Sequence, residues 1–281
     1  MKQKLHTQQI VMTETEVKIR RFFPNAITMT ALGFGLSSLN MAFWGQWKMA
    51  VLFIALSALC DFLDGGVARL LRVESKFGVQ LDSLSDLVSF GVAPGFLMYQ
   101  WTMDQSARIE VLLNNAYRSD ASDAVGVYWG FSLFLAMCAA MRLARFNTMA
   151  DSEAPQPSYW KHFFMGVPAP AGAGLAILPL ILWLATSEQC DTLRDPWVVS
   201  FFLLFSGSMM ASRVPTLCLK HLNISDGFMS ILRIGLLFLL ASLIAYPWIS
   251  LSFIGVAYVL SIPFGIHYFL RQKYLSKKQK G

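Results

Sequence analysis

Long apolar segments separated by short polar ones dominate the hydrophobic pattern of this chain. A helix of about 20 mostly apolar residues is long enough to cross the hydrocarbon of a bilayer. We identify eight candidate spans: residues 23–44, 48–68, 83–103, 124–141, 166–186, 196–212, 227–246 and 249–270. The pattern therefore predicts an all-α polytopic membrane bundle with about eight transmembrane helices.

The ends of the chain differ from this central domain, which comprises residues 23–270. Residues 1–22 form a polar arm whose weak polar–apolar alternation is typical of a helix lying on the inner membrane surface. Residues 271–281 form a basic tail. We therefore expect a cytoplasmic arm, one transmembrane domain and a cytoplasmic tail.

Composition supports the assignment to the membrane proteins, and the distribution of charge predicts the orientation of the chain in the membrane. The 281 residues are 55% hydrophobic and 14% charged, whereas a soluble domain carries about 25% charged residues. With the N-terminus inside, 18 of the 23 Lys and Arg residues fall in inner segments and four in outer loops. Positive charge concentrates on the cytoplasmic side, so both termini are predicted to be cytoplasmic. The net charge of +6 then belongs to a collar facing anionic lipid headgroups, and no nucleic-acid partner is expected.

Four aspartates lie where the second span meets the third, in the segment DFLDGGVARLLRVESKFGVQLDSLSD, residues 61–86. Asp61 and Asp64 are one helical turn apart, as are Asp82 and Asp86 on the next helix. The short connection makes the two helices antiparallel neighbours, so the four carboxylates converge at the cytoplasmic end. Each carboxylate near hydrocarbon costs roughly 2.5–3.5 kcal/mol. A bound divalent metal is the expected compensation.

The residues around the aspartates suit a phosphate-bearing substrate. Mg²⁺ and Mn²⁺ prefer oxygen ligands in phosphoryl chemistry, and two such ions can clamp the attacking and leaving oxygens. Gly65 and Ala68 leave room for a bulky group to approach the backbone. Arg69 adds a forked cation that fits a phosphate. We therefore predict metal-assisted phosphoryl transfer.

This segment resembles the signature of the CDP-alcohol phosphotransferases: D-x-x-D-G-x-x-A-R, eight residues, then G-x-x-x-D-x-x-x-D. Every specified position is matched, by Asp61, Asp64, Gly65, Ala68, Arg69, Gly78, Asp82 and Asp86. The resemblance implies transfer of a phosphatidyl-type group from a CDP-linked lipid to an alcohol, with release of CMP. It also implies two divalent cations, Mn²⁺ or Mg²⁺, on the four aspartates, and a homodimer.

By the same resemblance, individual residues receive roles. Asp86 is also the general base that takes the proton of the attacking hydroxyl. Gly65 and Ala68 border the cytidine, and Arg69 and Gly78 belong to the nucleotide and diphosphate site.

Two polar residues at the start of the first span extend the nucleotide site. Asn25 and Thr28 lie close together at the mouth of the span, and both can donate hydrogen bonds to the nucleotide. A helix-start Asn can instead be a cap.

The acceptor is indicated by further stretches of sequence. The runs 82–94, 23–25, 142–147 and 212–215 resemble the phosphatidylserine synthase branch. The expected substrates are therefore CDP-diacylglycerol and L-serine, and the expected products are phosphatidylserine and CMP. Glycerol phosphate or inositol as acceptor is the alternative with the same chemistry.

An amino-acid acceptor needs donors for its carboxylate near the metals. Arg142, Arg145 and Asn147 at the end of the fourth span, and Arg213 at the end of the sixth, are the candidates. An arginine at such a position can also be only a topology anchor.

Two other classes bear acidic groups in membranes. An ion-coupled transporter holds them near mid-span, often at broken helices, and an aspartate-rich prenyltransferase lacks the Gly-Ala-Arg trio. The aspartates here cluster at one edge of the spans. We therefore favour the transferase, with its active site at the cytoplasmic side of the inner membrane.

Overall fold

The computed structural model describes residues 14–71, 75–103, 119–150, 163–217 and 226–278. Residues 1–13 of the predicted arm and the end of the basic tail lie outside the described residues. So do residues 72–74 of the turn between the aspartate pairs and residues 151–162.

Helices account for nearly all of the described chain. They are α1 (Glu14–Phe43), α2 (Trp47–Leu71), α3 (Lys76–Asp86), α4 (Ala93–Thr102), α5 (Ser119–Ala150), α6 (Ala169–Ala176), α7 (Leu178–Ala185), α8 (Pro196–Ala211), α9 (Asp226–Ala245) and α10 (Pro247–Lys278). A π-helical turn, Leu87–Val92, joins α3 to α4, and a short 3-10 helix, Asp191–Arg194, precedes α8. Two three-residue strands, β1 (Phe163–Met165) and β2 (Pro215–Leu217), pair antiparallel. The predicted all-α bundle is confirmed.

Four described helices are long and apolar enough to cross a membrane: Phe22–Phe43, Trp47–Leu71, Gly126–Met149 and Pro247–Arg271. The chain is therefore a multi-pass membrane protein. Each of the eight predicted spans coincides with one helix or with consecutive helices. The number of crossings, eight, stays a prediction.

Two of the predicted spans are not continuous helices. The span 166–186 breaks at Ile177 into α6 and α7. Pro179 explains this break, because proline lacks an N–H and its ring displaces the carbonyl four residues earlier. The span 83–103 is interrupted by the π-helical turn directly after Asp86.

Helix α1 packs closely along α2 and against the π-helical turn. The hydroxyl of Ser57 on α2 donates to Ala31 O on α1 at 2.9 Å. A Cβ on Gly35 would lie 2.4 Å from Ser89 Oγ in the π-helical turn, so only glycine allows this approach. Small residues thus bring α1, α2 and the π-helical turn together, and the same contacts position the aspartates.

Candidate active site

The structure brings the four predicted aspartates together. Asp61 and Asp64 come from α2, and Asp82 and Asp86 come from α3. One carboxylate oxygen from each of Asp61, Asp64 and Asp82 lies within 4.8 Å of the others. The carboxyl group of Asp86 lies near enough to interact electrostatically with those of Asp61, Asp82 and Asp64. The convergence of carboxylates expected from the spacing is therefore present.

Asp64 is held in place by the first helix. It is buried, and its Oδ2 accepts a hydrogen bond of 2.6 Å from the hydroxyl of Thr28, which is also buried. The hydroxyl of Ser85 on α3 donates to Thr28 O at 3.2 Å. Thr28 thus connects α1 to both helices that carry aspartates. Because its hydroxyl is directed at Asp64, its contact with a nucleotide stays a prediction.

The donor set fits divalent cations. Asp82 Oδ1 is buried and has no hydrogen-bond partner among the residues that the structure describes. An unsatisfied carboxylate oxygen beside two other carboxylates is destabilising unless a cation balances it. Mg²⁺ and Mn²⁺ prefer oxygen ligands such as these carboxylates.

A cavity of about 360 Å³ adjoins the aspartates. Such a volume lies within the range of small-molecule and cofactor sites, about 300–1,000 Å³. Its walls come from α1, α2, α3 and α5. They are formed by Pro24, Asn25, Thr28, Asp64, Gly65, Ala68, Arg69, Ser75, Gly78, Val79, Asp82 and Phe146. All six residues predicted for the nucleotide and diphosphate site therefore line one cavity together with two of the aspartates.

Small residues shape this cavity. A Cβ added to Gly65 would come no closer than 4.0 Å to the Arg69 guanidinium, so the missing side chain leaves open space. Gly78 lies closer to its neighbours, because a Cβ there would be 3.2 Å from Asn25 Oδ1. The Nε of Arg69 donates to Gly65 O at 2.9 Å. This bond directs the exposed guanidinium along the cavity wall.

The start of α3 is fixed by a cap that the sequence analysis missed. Ser75 Oγ accepts a hydrogen bond of 3.0 Å from Gly78 N, as an N-cap serine does at the third helical position. The sequence SKFG at 75–78 carried that signal. The cap sets where α3 begins and so the position of Asp82 two turns later.

Of the predicted acceptor residues, Arg142 lies nearest the aspartates. Its guanidinium interacts electrostatically with Asp86, and its Nε donates to Val167 O. It does not line the 360 Å³ cavity. Arg142 therefore places a positive charge beside the predicted general base.

The other three predicted acceptor residues have different surroundings. Arg145 donates to Ala211 O at 2.8 Å at the end of α8. Asn147 Nδ2 donates to Ser83 Oγ on α3 at 2.9 Å. Arg213 is exposed and is not among the residues lining the cavity. Arg145 and Asn147 thus join α5 to its neighbours, and a contact of these three residues with the acceptor stays a prediction.

Comparison with known proteins places this geometry in a family. The family model described as CDP-alcohol phosphatidyltransferase matches residues 21–218. The chain belongs to this family. A second model, CDP-alcohol phosphatidyltransferase 2, matches residues 229–263. The predicted membership of the CDP-alcohol phosphatidyltransferases is thereby confirmed.

Curated relatives extend the similarity over most of the chain. A CDP-diacylglycerol–serine O-phosphatidyltransferase of Mycobacterium leprae is 31% identical over 247 residues, which cover 88% of this chain and 75% of that protein. The enzyme of the same name from Bacillus subtilis is 32% identical over 171 residues, 59% of this chain and 82% of that protein. The one from Helicobacter pylori strain J99 is 36% identical over 160 residues, 57% of each chain.

Metal affinity at this site is expected to fall with acidification. Asp82 lies on α3, outside the four long apolar helices. Burial, followed by the charges of Asp64 and Asp61, raises its pKa to about 7. Above this pKa the carboxylate is free to bind a cation, whereas below it the cation must displace a proton. From about pH 7 to pH 6, the dissociation constant for Mn²⁺ should rise roughly fivefold.

Titration of the purified protein with Mn²⁺, followed by electron paramagnetic resonance at several pH values, measures this effect. Asp82→Asn should bind Mn²⁺ more weakly and with a flatter pH profile. An affinity that stays constant across this pH range in the wild-type protein would contradict the role of Asp82.

Proposed function

We propose that the protein transfers the phosphatidyl group of CDP-diacylglycerol to the hydroxyl of L-serine, giving phosphatidylserine and CMP. The observation that carries the proposal is the convergence of four carboxylates beside a cavity lined by all six predicted nucleotide residues. The relatives named for this reaction support serine as acceptor.

In this proposal Asp61, Asp64, Asp82 and Asp86 hold two divalent cations, Mn²⁺ or Mg²⁺. When bound, the cations neutralise the charge of the diphosphate and of the phosphoryl group in transfer. Asp64 is kept in position for this role by its hydrogen bond with Thr28.

The chain's own residues bind and orient the reactants. Gly65 and Ala68 leave space for the cytidine along the cavity wall, and Arg69 places its guanidinium at the diphosphate. Asp86 accepts the proton of the serine hydroxyl as that oxygen attacks the lipid-proximal phosphorus in line. The bond from this phosphorus to the bridging oxygen breaks, and CMP leaves with the electron pair. Positioning and charge stabilisation supply most of the rate enhancement in such reactions.

The proposal also assigns a location. We place both termini in the cytoplasm and the active site at the cytoplasmic side of the inner membrane, because positive charge concentrates in the predicted inner segments. A lipid donor then enters from the bilayer, while serine and CMP exchange with water. We further expect a homodimer, as the family resemblance implies.

CMP release by the purified protein tests the function. CDP-diacylglycerol and Mn²⁺ are supplied with no acceptor, L-serine, glycerol 3-phosphate or inositol. We expect release that depends strictly on L-serine and the appearance of phosphatidylserine. Release with another alcohol would retain the family chemistry but overturn serine as acceptor, and no release with any acceptor would refute phosphatidyl transfer.

A further inference from the structure

The inner face of α10 carries a polar group in apolar surroundings. Gly255, Val259, Ile262 and Ile266 recur at helical spacing and face the protein core. Tyr258 lies on the same face and packs against that core. Its phenol oxygen is buried and has no hydrogen-bond partner among the residues that the structure describes. A buried hydroxyl without a partner is destabilising, so a ligand that accepts a hydrogen bond from this one would stabilise it.

Close packing fixes the position of this phenol. A Cβ on Gly255 would lie 2.6 Å from Leu178 Cδ1 on α7, so α10 packs directly against the Leu178 side chain. Tyr258 follows Gly255 by about one helical turn. The phenol is therefore held by a packed helix rather than by a loop.

Tyr258 interacts with the charged groups next to the aspartate cluster. Its electrostatic partner is the guanidinium of Arg142, and Arg142 also interacts with Asp86. Because the Nε of Arg142 donates to Val167 O, the orientation of the guanidinium that interacts with both groups is fixed. Asp86, Arg142 and Tyr258 thus follow one another from the proposed general base to the inner face of α10.

The functional groups of serine, the proposed acceptor, match this arrangement of Asp86, Arg142 and Tyr258. The hydroxyl and the carboxylate of serine are carried by neighbouring carbon atoms. If the hydroxyl lies at Asp86, the carboxylate must lie within a short distance of Asp86. A guanidinium and a phenol O–H are both donors that a carboxylate accepts.

We propose that Tyr258 donates a hydrogen bond to the carboxylate of the acceptor and, with Arg142, selects an amino acid over an alcohol that lacks this group. The inference rests on the proposed serine transfer and adds a specificity-determining residue from α10. It also gives the buried phenol a hydrogen-bond partner in the complex with substrate.

Tyr258→Phe tests the inference, since it removes only the hydroxyl. With saturating CDP-diacylglycerol and Mn²⁺, the KM for L-serine should rise about tenfold to a hundredfold, as expected for a lost hydrogen bond to a charged group. The KM for CDP-diacylglycerol should not change. The preference for L-serine over ethanolamine, which lacks only the carboxylate, should fall by a similar factor.

Ser252→Ala is the matched control. Ser252 also has a buried hydroxyl on α10 without a hydrogen-bond partner in the described part of the chain, but it lies six residues, more than one and a half helical turns, before Tyr258. Its removal should leave the KM for L-serine unchanged. Melting temperatures of both variants report any loss of packing.

Each outcome decides between the two proposals. A Tyr258→Phe protein with the wild-type KM for L-serine and the wild-type preference over ethanolamine would overturn the role of Tyr258 while leaving serine transfer intact. A wild-type protein without serine-dependent CMP release would overturn both. If the phenylalanine variant does not fold, Tyr258→Met, which also lacks the hydroxyl, takes its place: a raised KM for L-serine alone supports the inference, and an unchanged one refutes it.

Discussion

Replacing Asp86 by asparagine is expected to lower serine-dependent CMP release by about 10²–10⁴-fold. Asparagine has the shape of aspartate but cannot accept the proton of the attacking hydroxyl. Asp86 ends α3 and interacts electrostatically with Asp61 and Arg142. An amide can still bond with these neighbours, so the helix ends should stay in place. We therefore expect a folded protein that binds nucleotide but turns over slowly.

The measurement is kcat at saturating CDP-diacylglycerol, L-serine and Mn²⁺, together with the affinity for CDP. Because Asp86 is also a predicted metal ligand, Mn²⁺ affinity is measured on the same sample, and the loss of kcat is compared at full metal occupancy. Asp191→Asn makes the same chemical change at an exposed position on the 3-10 helix before α8. It should leave kcat unchanged. Turnover near the wild-type rate in Asp86→Asn would refute the general-base assignment.

The convergence of the aspartates could be predicted because it depends on local periodicity. Residues three or four apart share one face of a helix, which pairs Asp61 with Asp64 and Asp82 with Asp86. The few residues between the two helices require them to turn back on one another. The sequence also predicted that Gly65 and Ala68 leave room for a bulky group, and the structure shows both lining the cavity.

The bond between Thr28 and Asp64 could not be predicted, because it joins residues 36 positions apart. The sequence placed Thr28 at the mouth of the first span but did not show which helix it would contact. Its contact depends on how closely α1 approaches α2, and that distance is set by packing of small residues along both helices. Long-range side-chain contacts of this kind follow from tertiary packing and leave no periodic signal.

The π-helical turn after Asp86 also depends on tertiary packing and could not be predicted from the sequence. The hydrophobic pattern of Leu87–Val92 fits an α-helix as well as a π-helix, so the sequence predicted a continuous span. In the structure Gly91 approaches the backbone of Ala136 and the side chain of Ala139 on α5. π-helical turns often lie at functional sites, and this one directly follows the proposed general base.

The residues at the end of α5 show why a charged residue at a helix end is ambiguous. The sequence offered Arg142 and Arg145 equally as acceptor ligands or topology anchors. In the structure Arg145 satisfies the Ala211 carbonyl at the end of α8, whereas Arg142 lies beside Asp86. The two side chains lie less than one turn apart on α5 but contact different parts of the structure.

Removal of divalent cations is expected to abolish CMP release completely. Asp61, Asp64 and Asp82 place three carboxylate oxygens close together, and without cations their mutual repulsion and the charge of the diphosphate are not balanced. EDTA should therefore stop the reaction, and Mn²⁺ in excess of the chelator should restore it. A cation at about 100 times its dissociation constant stabilises the folded protein by about 2.7 kcal/mol, so Mn²⁺ should also raise the melting temperature.

The variant Asp64→Ala separates the loss of cations from the aspartate site from other actions of the chelator. The variant loses one predicted ligand and leaves the Thr28 hydroxyl without its carboxylate partner, so added Mn²⁺ should restore neither activity nor the increase in melting temperature. Asp191→Ala removes an exposed carboxylate on the 3-10 helix before α8 and should respond to Mn²⁺ as the wild-type protein does. Activity of the wild-type protein that survives EDTA would mean that the carboxylates act without a cation. In that case their burial beside one another would have to be balanced by protonation, and the proposed metal-assisted transfer would be wrong.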